Sequence, residues 1–185
     1  MKIESVAIAL WAAWLVSEFF ILRTAPDRSG SNTDRQSMLL LASSNLVAPV
    51  LAIAVYFLGI GPASFGTPIK AVGIALMLAG FATRWSGMWT LRKFFSANVA
   101  VQDDHQLVIK GPYRLVRHPG YFGGWLAFAG LGLSLGNWAA LAILVVLTVP
   151  AFLYRISVEE QVLRAAFPSY AAYAQSVRKF IPLVW

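Results

Sequence analysis

Residues 69–91, IKAVGIALMLAGFATRWSGMWTL, decide what kind of protein this is. A helix needs about 20 residues to cross the hydrocarbon core of a bilayer, and this run supplies them with only Lys70 and Arg84 charged. Working outward, four further apolar segments stand at residues 3–22, 38–60, 121–135 and 138–156. Of 185 residues, 58% are hydrophobic and 12% charged, and the mean hydropathy is +0.66, values too apolar for an ordinary water-soluble domain. The sequence therefore predicts an all-α, polytopic membrane helix bundle of about five transmembrane helices. Residues 1–185 read as one domain, with three spans in residues 1–91 and a polar loop, a helical hairpin and a tail in residues 92–185.

The first three segments are long enough to span. The fourth is short before the Gly136-Asn137 turn, so with the fifth it reads as a tight helical hairpin whose first helix is tilted or begins earlier, at Pro119. Segment 3–22 reads as a span rather than a cleaved leader, because Glu18 and Phe19-Phe20 stand where small cleavage-site residues belong.

Charge predicts the orientation. Five crossings gather Arg23, Arg28, Arg35, Arg92, Lys93, Lys110, Arg114, Arg117, Arg155, Arg164, Arg178 and Lys179 on one face and leave Lys2 and Lys70 on the other. By the positive-inside rule the basic face is cytoplasmic, with the amino terminus outside and the carboxyl terminus inside. The formal charge of +7 is then a topology signal, and a nucleic-acid partner is not expected. The absence of cysteine excludes disulfides, thiolate metal sites and cysteine nucleophiles.

Two polar clusters abut the apolar runs: Gly111-Pro112-Tyr113-Arg114-Leu115-Val116-Arg117-His118-Pro119-Gly120-Tyr121, and Arg155-Ile156-Ser157-Val158-Glu159-Glu160. Charged groups at the edge of a bilayer are costly without partners, so such a concentration points to a functional site. The first cluster ends a connection from Arg92 to Gly120, long for this chain, which is expected to fold as a cap at the cytosolic membrane surface. His105, Tyr113, Arg114, Arg117, His118 and Tyr121 there offer donors and aromatic faces able to enclose a polar cofactor. The plainer alternative is that Arg114 and Arg117 reach to anionic headgroups while Tyr113 and Tyr121 form an interfacial belt.

Arg155 and Glu159 are four residues apart, so on a continuing helix they share a face, and the plain expectation is an ion pair between them. As a site, Glu159 binds the ammonium of an amino-acid-like ligand and Arg155 grips a carboxylate in bidentate fashion. Arg84 and Glu18 are expected to pair between helices, relieving both desolvation costs. The polar stretch 23–37 reads as a plain solvated loop. His105 and His118, thirteen residues apart with no acidic partner at a recognised spacing, make a weak zinc signal, and no metal is expected. Neither a phosphate-binding loop nor a dinucleotide fingerprint nor a Gly-x-Ser-x-Gly elbow occurs.

Together these residues resemble the isoprenylcysteine carboxyl methyltransferase family, which is related to the phospholipid N-methyltransferases. The resemblance covers residues 98–185. It lies in His105-Gln106-Leu107-Val108, Gly111-Pro112-Tyr113, Arg117-His118-Pro119-Gly120-Tyr121 and Arg155 with Glu159-Glu160, with Phe167-Pro168-Ser169-Tyr170-Ala171-Ala172-Tyr173 and Ile181-Pro182 behind them. It implies an integral membrane enzyme that uses S-adenosylmethionine to methylate a lipophilic or lipidated acceptor, a carboxylate in that family. It further implies cofactor contacts from His105, Gln106, Leu107, Val108, Tyr113, His118, Pro119, Gly120, Tyr121 and Glu159, with Asn98 as a looser candidate, and a catalytic role for Arg155 facing the acceptor, with Glu159 beside it. The rival readings are a membrane sterol reductase-like enzyme using NADPH, whose carboxyl-terminal region shares the Arg-His-Pro-x-Tyr flavour, and a non-catalytic scaffold whose polar cluster binds headgroups.

Overall fold

The computed structural model describes residues 2–24, 32–61, 65–95 and 107–181. Among these described residues six α-helices follow in order: α1 Ile3–Thr24, α2 Asn32–Phe57, α3 Thr67–Leu91, α4 Pro119–Leu135, α5 Trp138–Ala166 and α6 Tyr170–Ser176. Single 3-10 turns stand at Arg92–Phe94 and Gly111–Arg114. Among the described residues there is no strand, only an isolated bridge between Val116 and Arg178. The predicted all-α membrane bundle is what forms.

Four helices, α1, α2, α3 and α5, are long and apolar enough to cross a bilayer. The fourth apolar segment differs from the other four. α4 has 17 residues, about 25 Å of helix at 1.5 Å per residue, and it is the most enclosed member of the bundle. Its close partner is α3. A Cβ placed on Gly80 would lie 2.5 Å from the Gly123 carbonyl and 2.7 Å from the Ala127 amide, and one on Gly130 would lie 2.5 Å from the Gly73 carbonyl. Glycines seven residues apart on both helices therefore let two antiparallel backbones touch, the small-residue packing that holds helices together where no hydrophobic effect acts between them.

α1 and α3 run parallel. Glu4 pairs with Lys70 and Glu18 with Arg84, partners separated by 66 positions in both cases, so the pairs clamp opposite ends of the same helix pair about 21 Å apart. α2 lies antiparallel to α5, tied at one end by Asp34 to Arg155 and at the other by the Asn137 side-chain amide donating to the Ile60 carbonyl. The α4–α5 hairpin turns at Gly136, whose φ of 70° suits a residue without a Cβ. The Asn137 carboxamide then caps α5 by accepting from the Ala140 amide.

Between the helices Trp14 stacks on Phe81 at 5.5 Å and meets Phe128 edge-on at 5.2 Å, joined by Met77, Leu131 and Phe152. The outer surface is also apolar: Val16, Phe20, Leu39, Leu46, Trp89 and Val146 are exposed, the arrangement a lipid solvent favours. With its apolar helices and lipid-suited exterior, this is an integral membrane protein. α2 starts at Asn32, earlier than its apolar run, so the expectation of a plain solvated loop over 23–37 fails for residues 32–37. Asp34 and Ser37 are buried there because they hold a cation of α5.

Candidate active site

The polar end of the bundle is assembled by the carboxyl-terminal segment strapping down the turn that precedes α4. The Arg117 amide donates to the Arg178 carbonyl at 2.8 Å, the Arg117 guanidinium donates to the Ala174 carbonyl, and the Tyr173 hydroxyl donates to the Tyr113 carbonyl at 2.6 Å. Burial pushes the Tyr113 phenol well above its ordinary range, with the negative charge of Glu159 adding to the effect. The Tyr173 phenol is pushed up to about 12, mainly by burial. Both therefore remain neutral hydrogen-bonding groups at physiological pH. His118 is the N-cap residue of α4, with φ −123° and ψ 62° and no side-chain capping bond, and Pro119 at the first helical position starts that helix at once.

Glu160 is the hub of this end. Its Oε1 lies 3.0 Å from Arg117 Nε and 3.3 Å from His118 Nε2, and it accepts from the Tyr170 hydroxyl at 3.2 Å. Lys179 and Arg164 approach its Oε2 at 3.7 Å. A single buried carboxylate thus binds the turn, α5, α6 and the tail together.

Glu159 looks elsewhere. Its Oε2 is 3.7 Å from His118 Nδ1, too long for a hydrogen bond, and among the described residues that buried oxygen has no hydrogen-bond partner. The Tyr121 phenol interacts with both the Glu159 carboxylate and the Arg155 guanidinium, and its ring stacks on His118 at 5.8 Å.

Arg155 departs from the plain expectation of an ion pair with Glu159. Its Nη1 pairs with Asp34 Oδ1 at 2.5 Å and also donates to Ser37 Oγ at 2.8 Å and the Asp34 carbonyl at 3.1 Å. The guanidinium is buried, and the first turns of α2 hold one of its edges. Arg84 behaves as expected: Nε and Nη2 make a two-pronged pair with the Glu18 carboxylate, while Nη1 donates to the Gly120 carbonyl at 3.3 Å.

These groups surround one cavity of about 120 Å³, lined by Tyr113, Arg117, His118, Gly120, Tyr121, Arg155 and Glu159, by Arg84, Met88, Leu91 and Phe95, and by Met38, Leu41, Asn45 and Phe152. Seven of the residues expected at a site from sequence meet here: Tyr113, Arg117, His118, Gly120, Tyr121, Arg155 and Glu159. Leu107 and Val108 are half-buried and do not line the cavity. Pro119 does not line it either and packs toward Gly87. Asn98, His105 and Gln106 lie outside the described residues.

The α2 wall, with Asp34 and Ser37 behind it, was not foreseen. The sequence Asn32-Thr33-Asp34 carries its own signal, a helix-start composition just ahead of an apolar run. Chemically the cavity sets aromatic faces, one carboxylate with open acceptor capacity and a guanidinium side by side, where polar and apolar parts of the bundle meet.

The sequence profile of the family described as phospholipid methyltransferase matches residues 69–169, a range that includes both polar clusters. A probable protein-S-isoprenylcysteine O-methyltransferase of Oryza sativa subsp. indica is 30% identical, over 63% of this chain and 62% of that protein. The cobalt-zinc-cadmium resistance protein CzcN of Cupriavidus metallidurans is 33% identical, over 59% of this chain and 58% of that protein. The protein-S-isoprenylcysteine O-methyltransferase of Schizosaccharomyces pombe is 33% identical, over 60% of this chain and 48% of its own. The chain thus spans between about half and three-fifths of the length of these relatives. In fold it is similar to the solved structure of the eukaryotic intramembrane Ras methyltransferase isoprenylcysteine carboxyl methyltransferase, with a TM-score of 0.62 and 24% identity over 75% of this chain and 52% of that one.

Proposed function

The chain belongs to the phospholipid methyltransferase family, and on that premise we propose that it methylates a lipophilic or membrane-embedded acceptor, a carboxylate of the isoprenylcysteine kind, using S-adenosylmethionine. The observation that carries this reading is the Glu159 carboxylate, whose buried Oε2 has no hydrogen-bond partner among the described residues and which lines the cavity with Tyr113, His118 and Tyr121. An unsatisfied buried acceptor costs roughly 1–3 kcal/mol, more when charged, and a cationic guest removes that cost. The sulfonium and ammonium groups of S-adenosylmethionine are such guests, and aromatic faces favour them further. The residues present therefore fit the cofactor.

When bound, S-adenosylmethionine supplies a methyl group activated by its attachment to a positively charged sulfur. Glu159 and His118 hold the polar part of the cofactor, with Tyr113, Gly120 and Tyr121 lining the cavity beside them. Asn98, His105, Gln106, Leu107, Val108 and Pro119 are assigned to the same binding segment from the family resemblance. Arg155 anchors the acceptor carboxylate, with Tyr121 beside it. A carboxylate attacks in its ionised form, so no side chain has to remove a proton, and the protein contributes chiefly by alignment and charge. The lipid portion of the acceptor lies among the helices. The cap expected over residues 92–120 lies in part outside the described residues; in this reading the positive-inside rule puts the site and the carboxyl terminus in the cytoplasm, with the amino terminus outside.

Calorimetric titration of the detergent-purified protein with S-adenosylmethionine, its demethylated product and NADPH tests the reading. The first two are expected to bind and NADPH is not. His118→Ala and Glu159→Ala are expected to lose the cofactor selectively; unchanged affinity in both rejects those assignments, and NADPH binding in place of S-adenosylmethionine overturns the activity. Transfer of labelled methyl into membrane extracts then types the acceptor: base-labile label marks an ester, and base-stable label an amine.

A further inference from the structure

Two carboxylates compete for Arg155. Glu159, four residues on along the same helix, is the partner that helix geometry offers; Asp34, on α2, is the partner that holds Nη1, at 2.5 Å, with Ser37 Oγ at 2.8 Å. Asp34 and Ser37 are buried, so this grip is made away from water. Glu159 meanwhile keeps Oε2 without a hydrogen bond among the described residues and lines the cavity.

We infer that Asp34 is a positioning residue for the site: by holding one edge of the Arg155 guanidinium, it keeps that cation from closing onto Glu159 and so leaves the Glu159 carboxylate available to a cationic cofactor. The inference rests on the proposed role of Glu159 for its consequence, though not for its geometry. Asp34 does more than neutralise a buried charge. Without it the same arginine becomes an internal competitor for the cofactor's place, one turn of helix away.

Two measurements test this. The first needs no cofactor. Glu159→Gln is introduced into the wild-type protein and into Asp34→Asn, and thermal melting is followed in detergent. In the wild-type background the change is expected to leave the melting temperature nearly unmoved. In the Asp34→Asn background it should lower the melting temperature by about 2–4 °C, because the newly formed Arg155–Glu159 pair is then broken. Equal shifts in the two backgrounds overturn the inference.

The second is titration with S-adenosylmethionine. Asp34→Asn is expected to weaken binding about tenfold, Asp34→Glu to recover part of the loss, and Asp34→Asn/Arg155→Met to return to near wild-type affinity, since the competing cation is gone. A double variant as weak as Asp34→Asn alone assigns Asp34 a purely structural role and overturns the inference. Ser37→Ala removes one acceptor while leaving the charge pair, and should shift both readouts in the same direction by less; it serves if Asp34→Asn does not fold. If the wild-type protein binds no S-adenosylmethionine, the proposed function falls, and the melting cycle still decides whether Asp34 holds Arg155 off Glu159.

Discussion

Glu159 and Glu160 are consecutive residues of α5 with different neighbours: Glu160 meets Arg117, His118, Tyr170, Arg164 and Lys179, whereas Glu159 lines the cavity and its buried Oε2 has no hydrogen-bond partner among the described residues. Neighbouring side chains on a helix point about 100° apart, so one helix turn presents one carboxylate to the strap and the next to the cavity. His118 lies between them, 3.3 Å from one and 3.7 Å from the other.

Substitution should separate the two roles. Glu160→Ala leaves the half-buried Arg117 without its carboxylate and is expected to cost about 3 kcal/mol of stability, read as a lower melting temperature in detergent. Glu159→Gln should leave the melting temperature nearly unchanged and weaken S-adenosylmethionine in titration. The reverse pattern would exchange the assignments.

The α3–α4 contact has no room for a methyl group. Gly80→Ala puts a Cβ 2.5 Å from the Gly123 carbonyl and is expected to destabilise by about 1–3 kcal/mol through overpacking. Gly66→Ala, whose Cβ among the described residues meets Pro68 Cδ at 3.6 Å, is the control and should cost clearly less. Thermal melts of the two variants side by side check this.

Much of this architecture is legible in the sequence because bilayer length and residue hydropathy are one-dimensional quantities. Apolar runs mark α1, α2, α3 and α5, and Gly136-Asn137 marks the hairpin. The convergence of His118 with Glu159 was legible only through the resemblance to a family, since local spacing cannot bring residues 41 positions apart together. The Arg84–Glu18 pair followed from the cost of burying either charge alone. Asp34 escaped because a polar stretch looks like solvent-facing loop until its tertiary partner is known; it is the burial of Arg155 that makes Asp34 structural. The role of Glu160 escaped for the same reason, its partners being spread from Arg117 to Lys179. The glycine register of α3 and α4 was open to reading at 73, 80 and 87 and at 123 and 130, yet a seven-residue spacing says nothing of its partner helix.

Alkaline pH should loosen the strap. The Tyr173 phenol ionises near 10 when unfolded and is pushed up to about 12 by burial. The unfolded chain therefore loses this proton first, so stability is intact below pH about 10 and falls as pH rises toward about 12. Tyr173→Phe removes that dependence, together with the hydrogen bond to the Tyr113 carbonyl. Melting temperature against pH from 8 to 12 should be flatter for the variant than for the wild type, while its value at pH 8 is lower.

Arg84 is both a partner of Glu18 and part of the cavity wall, and charge removal in pairs distinguishes the two roles. Arg84→Met alone strands the Glu18 carboxylate between helices, and Glu18→Leu alone leaves the guanidinium with the Gly120 carbonyl as its remaining described acceptor. Each is expected to cost about 3–5 kcal/mol, whereas the double variant should lose clearly less, since two well-packed apolar side chains can replace a buried ion pair at little cost. Melting temperatures of the three variants measure the coupling. If the pair is structural, the double variant binds S-adenosylmethionine with near wild-type affinity. A double variant that folds normally but fails to bind places Arg84 among the residues that hold the ligand.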